Sequence, residues 1–182
     1  MTQTIIAFTG ISGVGKTTFL QRLRGYIAFQ HLTGGSLISE ARQETDETRD
    51  RLRLADLDEN QRLLIRGFAL ARDPEAGLII VDGHVVIDHS NGIQDVPATV
   101  FERLGTTLMV HLEADPNLIL RNRTGDIARD RPVYSVEVIS SHQELSRMRA
   151  LDISRILNIE YIMVKHDDVL ALATLLQQKL IL

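Results

Sequence analysis

Gly10-Ile-Ser-Gly-Val-Gly-Lys-Thr-Thr18 is the stretch that decides the fold. It fits the G-x-x-x-x-G-K-[ST] template of a phosphate-binding loop. Thr4-Ile-Ile-Ala-Phe8 before it is a short apolar run of strand formers. After it, Thr18-Phe-Leu-Gln-Arg-Leu-Arg-Gly-Tyr26 puts Phe19, Leu20 and Leu23 on one helical face. Strand, glycine loop and helix thus come in the order the motif needs. The glycines let successive backbone N–H groups turn toward one point and form an anion nest. A helix starting near Lys16 adds the positive end of its dipole. The candidate nucleotide contacts are Gly10, Ser12, Gly13, Val14, Gly15, Lys16, Thr17 and Thr18. Lys16 is expected to reach the β- and γ-phosphates of ATP, and the Thr17 hydroxyl to ligate Mg²⁺. A ligand-free glycine turn would not require four fixed positions with matching flanks.

The remaining composition narrows the classes. The 182 residues suffice for one domain with a core. A net charge of −4 gives no general attraction to nucleic acid. Without tryptophan, and with only 4% aromatics, base-stacking platforms are poorly supplied. Cysteine is absent, which excludes disulfides, thiolate zinc sites and cysteine nucleophiles. No apolar run reaches the ~18 residues of a membrane span. No secretory signal is visible at the N-terminus. The expected setting is the cytoplasm, with small-molecule nucleotides as partners rather than nucleic acid or membrane.

No repeat or linker divides residues 1–182, so a single domain is expected. Phe29–Thr33 is a weak strand candidate, broken by Gly34-Gly35-Ser36, with Ser36 and Ser39 as candidate N-caps. Residues 40–73 look helical in two pieces. The first, Glu40–Leu54, is polar all round, and the second, Asp58–Arg72, carries Leu63, Leu64, Phe68 and Ala71 at helical spacing. Gly77-Leu-Ile-Ile-Val-Asp82 suits a strand buried on both faces. Val85–Ile87 is followed by a turn at His89-Ser-Asn-Gly92, and Val96-Pro97 introduces a helix to about Leu104. Thr107–Leu112 is a strand, and Asp115 caps a helix with Pro116 at its first position. A long helix is expected from Ser135 to about Asn158, with Val138, Ile139, Leu145, Met148, Leu151 and Ile156 at helical intervals. Glu160–Val164 is a last strand, and Asp167 caps a closing helix. Strands alternating with helices give an α/β fold with a mainly parallel sheet of about five strands. Ligands bind such sheets at the carboxyl ends of the strands.

Asp82 ends its strand as a Walker-B acid does, holding Mg²⁺ or orienting an acceptor; Asp-Gly is also an ordinary turn pair. His84, two residues on, is a candidate acceptor contact. Arginines at 121, 123, 129 and 131 form a local basic group. Guanidinium groups grip phosphates with paired N–H bonds and stabilise the charge of phosphoryl transfer. Arg129 and Arg131 in a closing lid would do so; a solvated basic turn balanced by Asp126 and Asp130 fits the same residues. The polar helix at 40–54 suits either a mobile acceptor flap or a solvated face with pairs such as Glu47–Arg51. No Asn-Lys-x-Asp guanine-reading motif follows, and the chain is short for a motor ATPase.

The chain resembles the archaeal-type adenylate kinases over almost its whole length. The resemblance is carried by Phe8–Thr17, Val81-Asp-Gly-His84, Leu112-Glu-Ala-Asp-Pro116, Leu118-Ile-Leu120, Arg129-Asp-Arg131 and Tyr134-Ser135. It implies a three-layer P-loop NTPase fold with strand order 2-3-1-4-5 and transfer of the ATP γ-phosphoryl group to AMP with Mg²⁺. It also implies an acceptor flap at about 34–73 and a lid at about 121–134. Lys16 and the loop amides then bind ATP phosphates, Thr17 binds Mg²⁺, and Arg129 and Arg131 close on the transferring group. Arg53 resembles the acceptor-phosphate arginine, and a homo-oligomer, a trimer by family habit, is implied. Where the family tends to place Gly-Asp-aromatic, this chain has Gly34-Gly35-Ser36, and Asn122 stands at a position expected to be basic. Two alternatives stay open. One is a kinase of a nucleoside or other small hydroxyl acceptor, with Asp82 as general base. The other is an ATP-binding regulatory module with slow hydrolysis.

Overall fold

The computed structural model describes residues 3–42, 57–89, 92–125 and 134–181. Five strands form one parallel sheet: β1 (Thr4–Thr9), β2 (Gln30–Thr33), β3 (Leu78–Asp82), β6 (Leu108–Leu112) and β7 (Glu160–Val164). Their spatial order is β2-β3-β1-β6-β7. Numbered within this sheet alone, that is the 2-3-1-4-5 order. The pairing is in parallel register throughout, with Phe8 beside Asp82, Thr33 beside Asp82 and Thr9 beside His111. β4 (Val86–His89) and β5 (Gly92–Asp95) make a separate antiparallel hairpin. The sequence had shown only its apolar start and its turn.

The central strands feed two cores by their two-residue alternation. Ile6, Phe8, Leu78, Ile80, Leu108 and Val110 face one core with α1 (Lys16–Leu23) and α7 (Val169–Ile181). Ile5, Ala7, Ile79, Val81 and Met109 face the other. There they meet α2 (Gly34–Arg42), α3 (Leu57–Ala71), α4 (Ala98–Leu104) and α6 (Val136–Leu157). Helices therefore cover both faces, as a parallel sheet requires. α5 (Pro116–Gly125) runs from the end of β6, with Asp115 Oδ1 accepting from the Asn117 N–H at 2.7 Å.

Four local expectations are corrected. Gly34-Gly35-Ser36 does not interrupt the chain but begins α2 directly after β2. Thr33, not Ser36 or Ser39, is its N-cap: the Ser36 N–H donates to Thr33 Oγ1 (3.1 Å) and the Thr33 N–H to Ser36 Oγ (3.2 Å). This reciprocal pair is a capping box with serine at the third position. At α7, Asp168 rather than Asp167 stands at the boundary, its Oδ2 accepting from the Lys165 N–H at 2.7 Å and its carbonyl from Leu172. In α6 Ile139 is buried and Leu151 partly so as expected, but Val138, Leu145, Met148 and Ile156 are exposed, while Ser146, Ala150 and Ser154 are buried. The small residues let that helix lie close to the sheet.

Candidate active site

β1 delivers the chain into the phosphate loop at the carboxyl edge of the sheet. Gly13 (φ 85°) and Gly15 (φ 96°) lie in the left-handed region, which side chains rarely adopt. Both are also crowded: a Cβ on Gly13 would sit 2.7 Å from Arg123 Cγ, and one on Gly15 2.5 Å from His166 Cε1. Two neighbouring segments thus lie directly on the loop. Arg123 Nε donates to Ser12 O (2.8 Å), Asn122 Nδ2 to Gly13 O (2.9 Å), and His166 Nε2 lies 2.8 Å from Val14 O. The Val14 side chain is buried in the core and its N–H donates to Ile11 O. Gly15 is the N-cap of α1 and supplies no side-chain cap, leaving first-turn amides for an anion. Thr17 and Thr18 are exposed on that turn.

Lys16 is folded back on the loop and 8% exposed. Its Nζ donates to Gly10 O at 2.9 Å and Ile11 O at 3.5 Å, with His84 Nε2 at 3.4 Å and Asp82 Oδ1 at 3.9 Å. The other Asp82 oxygen faces His31 Nε2 at 3.7 Å. The structure therefore gathers Lys16, Asp82 and His84 as the sequence suggested, and adds His31 from the neighbouring strand. Arg53, Arg129 and Arg131 lie outside the described residues.

A second polar group lies one strand over. Thr9 Oγ1 is 2.9 Å from His111 Nδ1 and 3.2 Å from Val110 O. His111 is fully buried, and its pKa is lowered to about 4, first by burial, then by the charges of Lys16 and Arg147. The imidazole is neutral at pH 7, with Thr9 between it and the loop. Arg147 Nη1 lies 3.4 Å from Glu113 Oε1. Burial pushes the Tyr161 phenol beside this group up to about 12, with the Glu113 charge adding to it. His31, His111, Arg147 and His166 were not singled out in the sequence. Arg123 was noticed there only as part of a basic group. The usable signal for His111 and His166 was their place at strand ends, on the edge where parallel sheets bind ligands.

A buried lysine between loop carbonyls and a strand-end carboxylate, beside an uncapped helix N-terminus, defines a nucleotide-binding protein of the P-loop class. Comparison with known proteins agrees. A family model described as an AAA domain matches residues 9–140. The adenylate kinase of Methanopyrus kandleri is 33% identical over 176 residues, covering 90% of each chain. That of Pyrococcus horikoshii is 32% identical, over 81% of this chain and 78% of its own. That of Thermoplasma acidophilum is 30% identical over 76% of both. Among solved structures, shikimate kinase from Acinetobacter baumannii superposes with a TM-score of 0.57 at 18% identity, over 99% of this chain and 94% of its own. A putative kinase from Chloroflexus aurantiacus gives 0.59 at 13% identity, over 98% and 96%. At such identity these two speak for the fold alone. The chain belongs to the AAA-domain P-loop family and, within it, to the adenylate kinases, which are nucleoside monophosphate kinases.

Proposed function

We propose that this chain transfers the γ-phosphoryl group of ATP to AMP. The observation that carries the reading is Lys16, held by the Gly10 carbonyl with Asp82 beyond it at the mouth of the phosphate loop. A phosphate acceptor is already anionic, so no base is required at the attacking oxygen. The task is positioning and charge stabilisation. Binding a triphosphate exchanges the Lys16 contact with Gly10 O for phosphate oxygens, a stronger charge-assisted partner. His111 stays neutral and adds no competing charge. Arg147, partly exposed and near the same edge, supplies a guanidinium from α6. Arg129 and Arg131 of a lid at about 121–134 are assigned to the transferring group, and Arg53 of a flap at about 34–73 to the acceptor phosphate.

The residues present suit Mg²⁺. Among the described residues no cluster of three metal-ligating side chains occurs. Mg²⁺ prefers one or two protein ligands with substrate phosphates and water completing its shell. The Thr17 hydroxyl and the Asp82 carboxylate would hold it, and it would neutralise negative charge on the phosphates. No helix among the described residues is long and apolar enough to cross a membrane. We place the protein in the cytoplasm as a homo-oligomer, a trimer by resemblance. The exposed apolar residues of α6 support that assembly.

ADP formation from ATP, measured with each nucleoside monophosphate in turn, tests the reading. AMP should accelerate it most. Acceleration by neutral alcohols instead, or by no acceptor at all, would overturn it.

A further inference from the structure

The β4–β5 hairpin is not needed to complete the five-stranded sheet, yet a contact path runs from it to the phosphate loop. Asp88 lies on β4, and its Oδ1 accepts a hydrogen bond from the Tyr134 hydroxyl at 3.0 Å. The Tyr134 ring carries the Arg123 guanidinium, 5.9 Å from its centroid. Arg123 Nε in turn donates to Ser12 O, and its stem fills the room left by the missing Cβ of Gly13. From α6, His142 packs edge-on against the same ring, with centroids 5.0 Å apart. The hairpin, α5 and the start of α6 thus meet around Arg123, which touches two loop residues.

The chemistry of the path is directional. Arg123 is half-buried, and burial lowers its pKa while the Asp88 charge opposes that effect. The larger effect of Asp88 is its hydrogen bond to the Tyr134 hydroxyl, which holds the ring at one angle and fixes the surface on which Arg123 rests. Arginine so seated presents its Nε–H to the Ser12 carbonyl. That bond, with the Arg123 stem against Gly13, holds the loop backbone at Ser12–Gly13, within the anion nest.

We propose that Asp88 and Tyr134 are positioning residues for nucleotide binding: through Arg123 they brace the Ser12–Gly13 turn in its anion-binding shape. This rests on the reading that the loop holds ATP. The chain of contacts lies outside the motif itself and comes from the hairpin and the segment before α6. It predicts an effect on ATP affinity from residues that need not touch ATP.

The test is a double-mutant cycle on the full chain. ATP binding is measured calorimetrically for Asp88→Ala, Tyr134→Phe, the double variant and Asp88→Asn. Each of the first two should weaken ATP binding by roughly threefold to tenfold, the span expected for one lost hydrogen bond. The double variant should bind no more weakly than the weaker single, because both remove the same contact. Asp88→Asn keeps an acceptor for the Tyr134 hydroxyl and should stay within threefold of wild type. In turnover, the ATP KM should rise while kcat at saturation holds. Additive losses, changes below threefold in both singles, or Asp88→Asn as weak as Asp88→Ala would each overturn the proposal. A fall in thermal stability with unchanged ATP affinity would do the same. Wild-type protein that does not bind ATP overturns the functional reading as well. Wild type that binds, with indifferent variants, overturns this inference alone.

Discussion

Gly67→Ala should destabilise the protein although it improves helix propensity. Gly67 lies in α3, and an added Cβ would sit 1.9 Å from Leu37 O, 2.6 Å from Leu37 C and 3.0 Å from its Cα. The obstacle is the backbone of α2, so no rotamer change relieves it. Ordinary contact begins at 3.4 Å, so α2 and α3 must separate by about 1.5 Å. A gap of 0.5–1 Å already forfeits roughly a quarter to a half of the dispersion energy of a contact. The contacts affected are those of Leu37, Ala41 and Phe68, all buried at or near this crossing. Overpacking costs about 1–3 kcal/mol, and a rigid wall points to the upper end. Replacing glycine by alanine in a helix returns about 1 kcal/mol. The net is a loss of about 2 kcal/mol, or a Tm lower by roughly 4–8 °C at this chain length. Differential scanning calorimetry with urea unfolding checks it. Gly35→Ala in α2 is the control: no described atom lies within 4 Å of its added Cβ, so its Tm should hold or rise. A Gly67→Ala protein as stable as wild type, or more so, would show that the α2–α3 contact is not tight and would refute the reasoning.

Lys16→Ala should abolish turnover; the measurement is ADP release under saturating ATP and AMP. Arg129→Ala and Arg131→Ala should lower kcat by roughly a hundredfold or more while changing the ATP Kd far less, since they are assigned to charge that develops in transfer; single-turnover kinetics beside calorimetry separates the two. His111 has a folded pKa of about 4 against an ordinary 6.5, the lowered case. Its neutral burial therefore supports the fold fully above pH 6.5. That support is lost as pH falls from 6.5 to 4, because only the unfolded chain takes up the proton. The loss is roughly 3 kcal/mol, read from urea midpoints, and His111→Gln should flatten that part of the profile. Thr33→Ala removes one side of the capping box and should cost about 1 kcal/mol, with acceptor KM rising as α2 frays.

The fold was legible where local pattern and tertiary role agree. Thr4–Phe8, the glycine loop and the helix after it form in the order their spacing requires, with Ile5, Ile6, Ala7, Phe8, Phe19, Leu20 and Leu23 buried. Legibility failed where small polar residues do the work of apolar ones. In α6 the periodicity of Val138, Leu145, Met148 and Ile156 pointed to a core face, yet those side chains are exposed. Ser154 can be buried because its Oγ donates to Leu151 O at 2.7 Å, satisfying itself within its own helix. A hydrophobicity pattern cannot see that. Gly34-Gly35-Ser36 misled for a related reason: its capping box uses Thr33, which already belongs to β2, and serine in place of glutamate. The hairpin was missed because β5 is mostly exposed and carries no alternation of burial to read.

The site divides along a different line. Every loop residue came from one contiguous motif, but what surrounds the motif comes from far along the chain. Thr9 and His111 are 102 residues apart, Lys16 and His84 are 68 apart, and Val14 and His166 are 152 apart. No window of sequence contains such a pair, and an isolated histidine has no signature by itself. Yet these residues are not scattered in the fold. Thr9, Thr33 and Asp82 are the final residues of β1, β2 and β3, and His111 is one short of the end of β6. His166 lies two beyond the end of β7. Parallel pairing puts all five strand ends on one edge, so a residue near any strand end becomes a neighbour of the loop whatever its distance in sequence. Knowing the strand ends and the parallel topology would therefore have nominated His111 and His166 without coordinates. It would not have nominated His31, whose approach to Asp82 depends on β2 lying beside β3 with His31 in register with Ile80. It would not have nominated Arg123 either, whose seat depends on a hairpin that the sequence conceals.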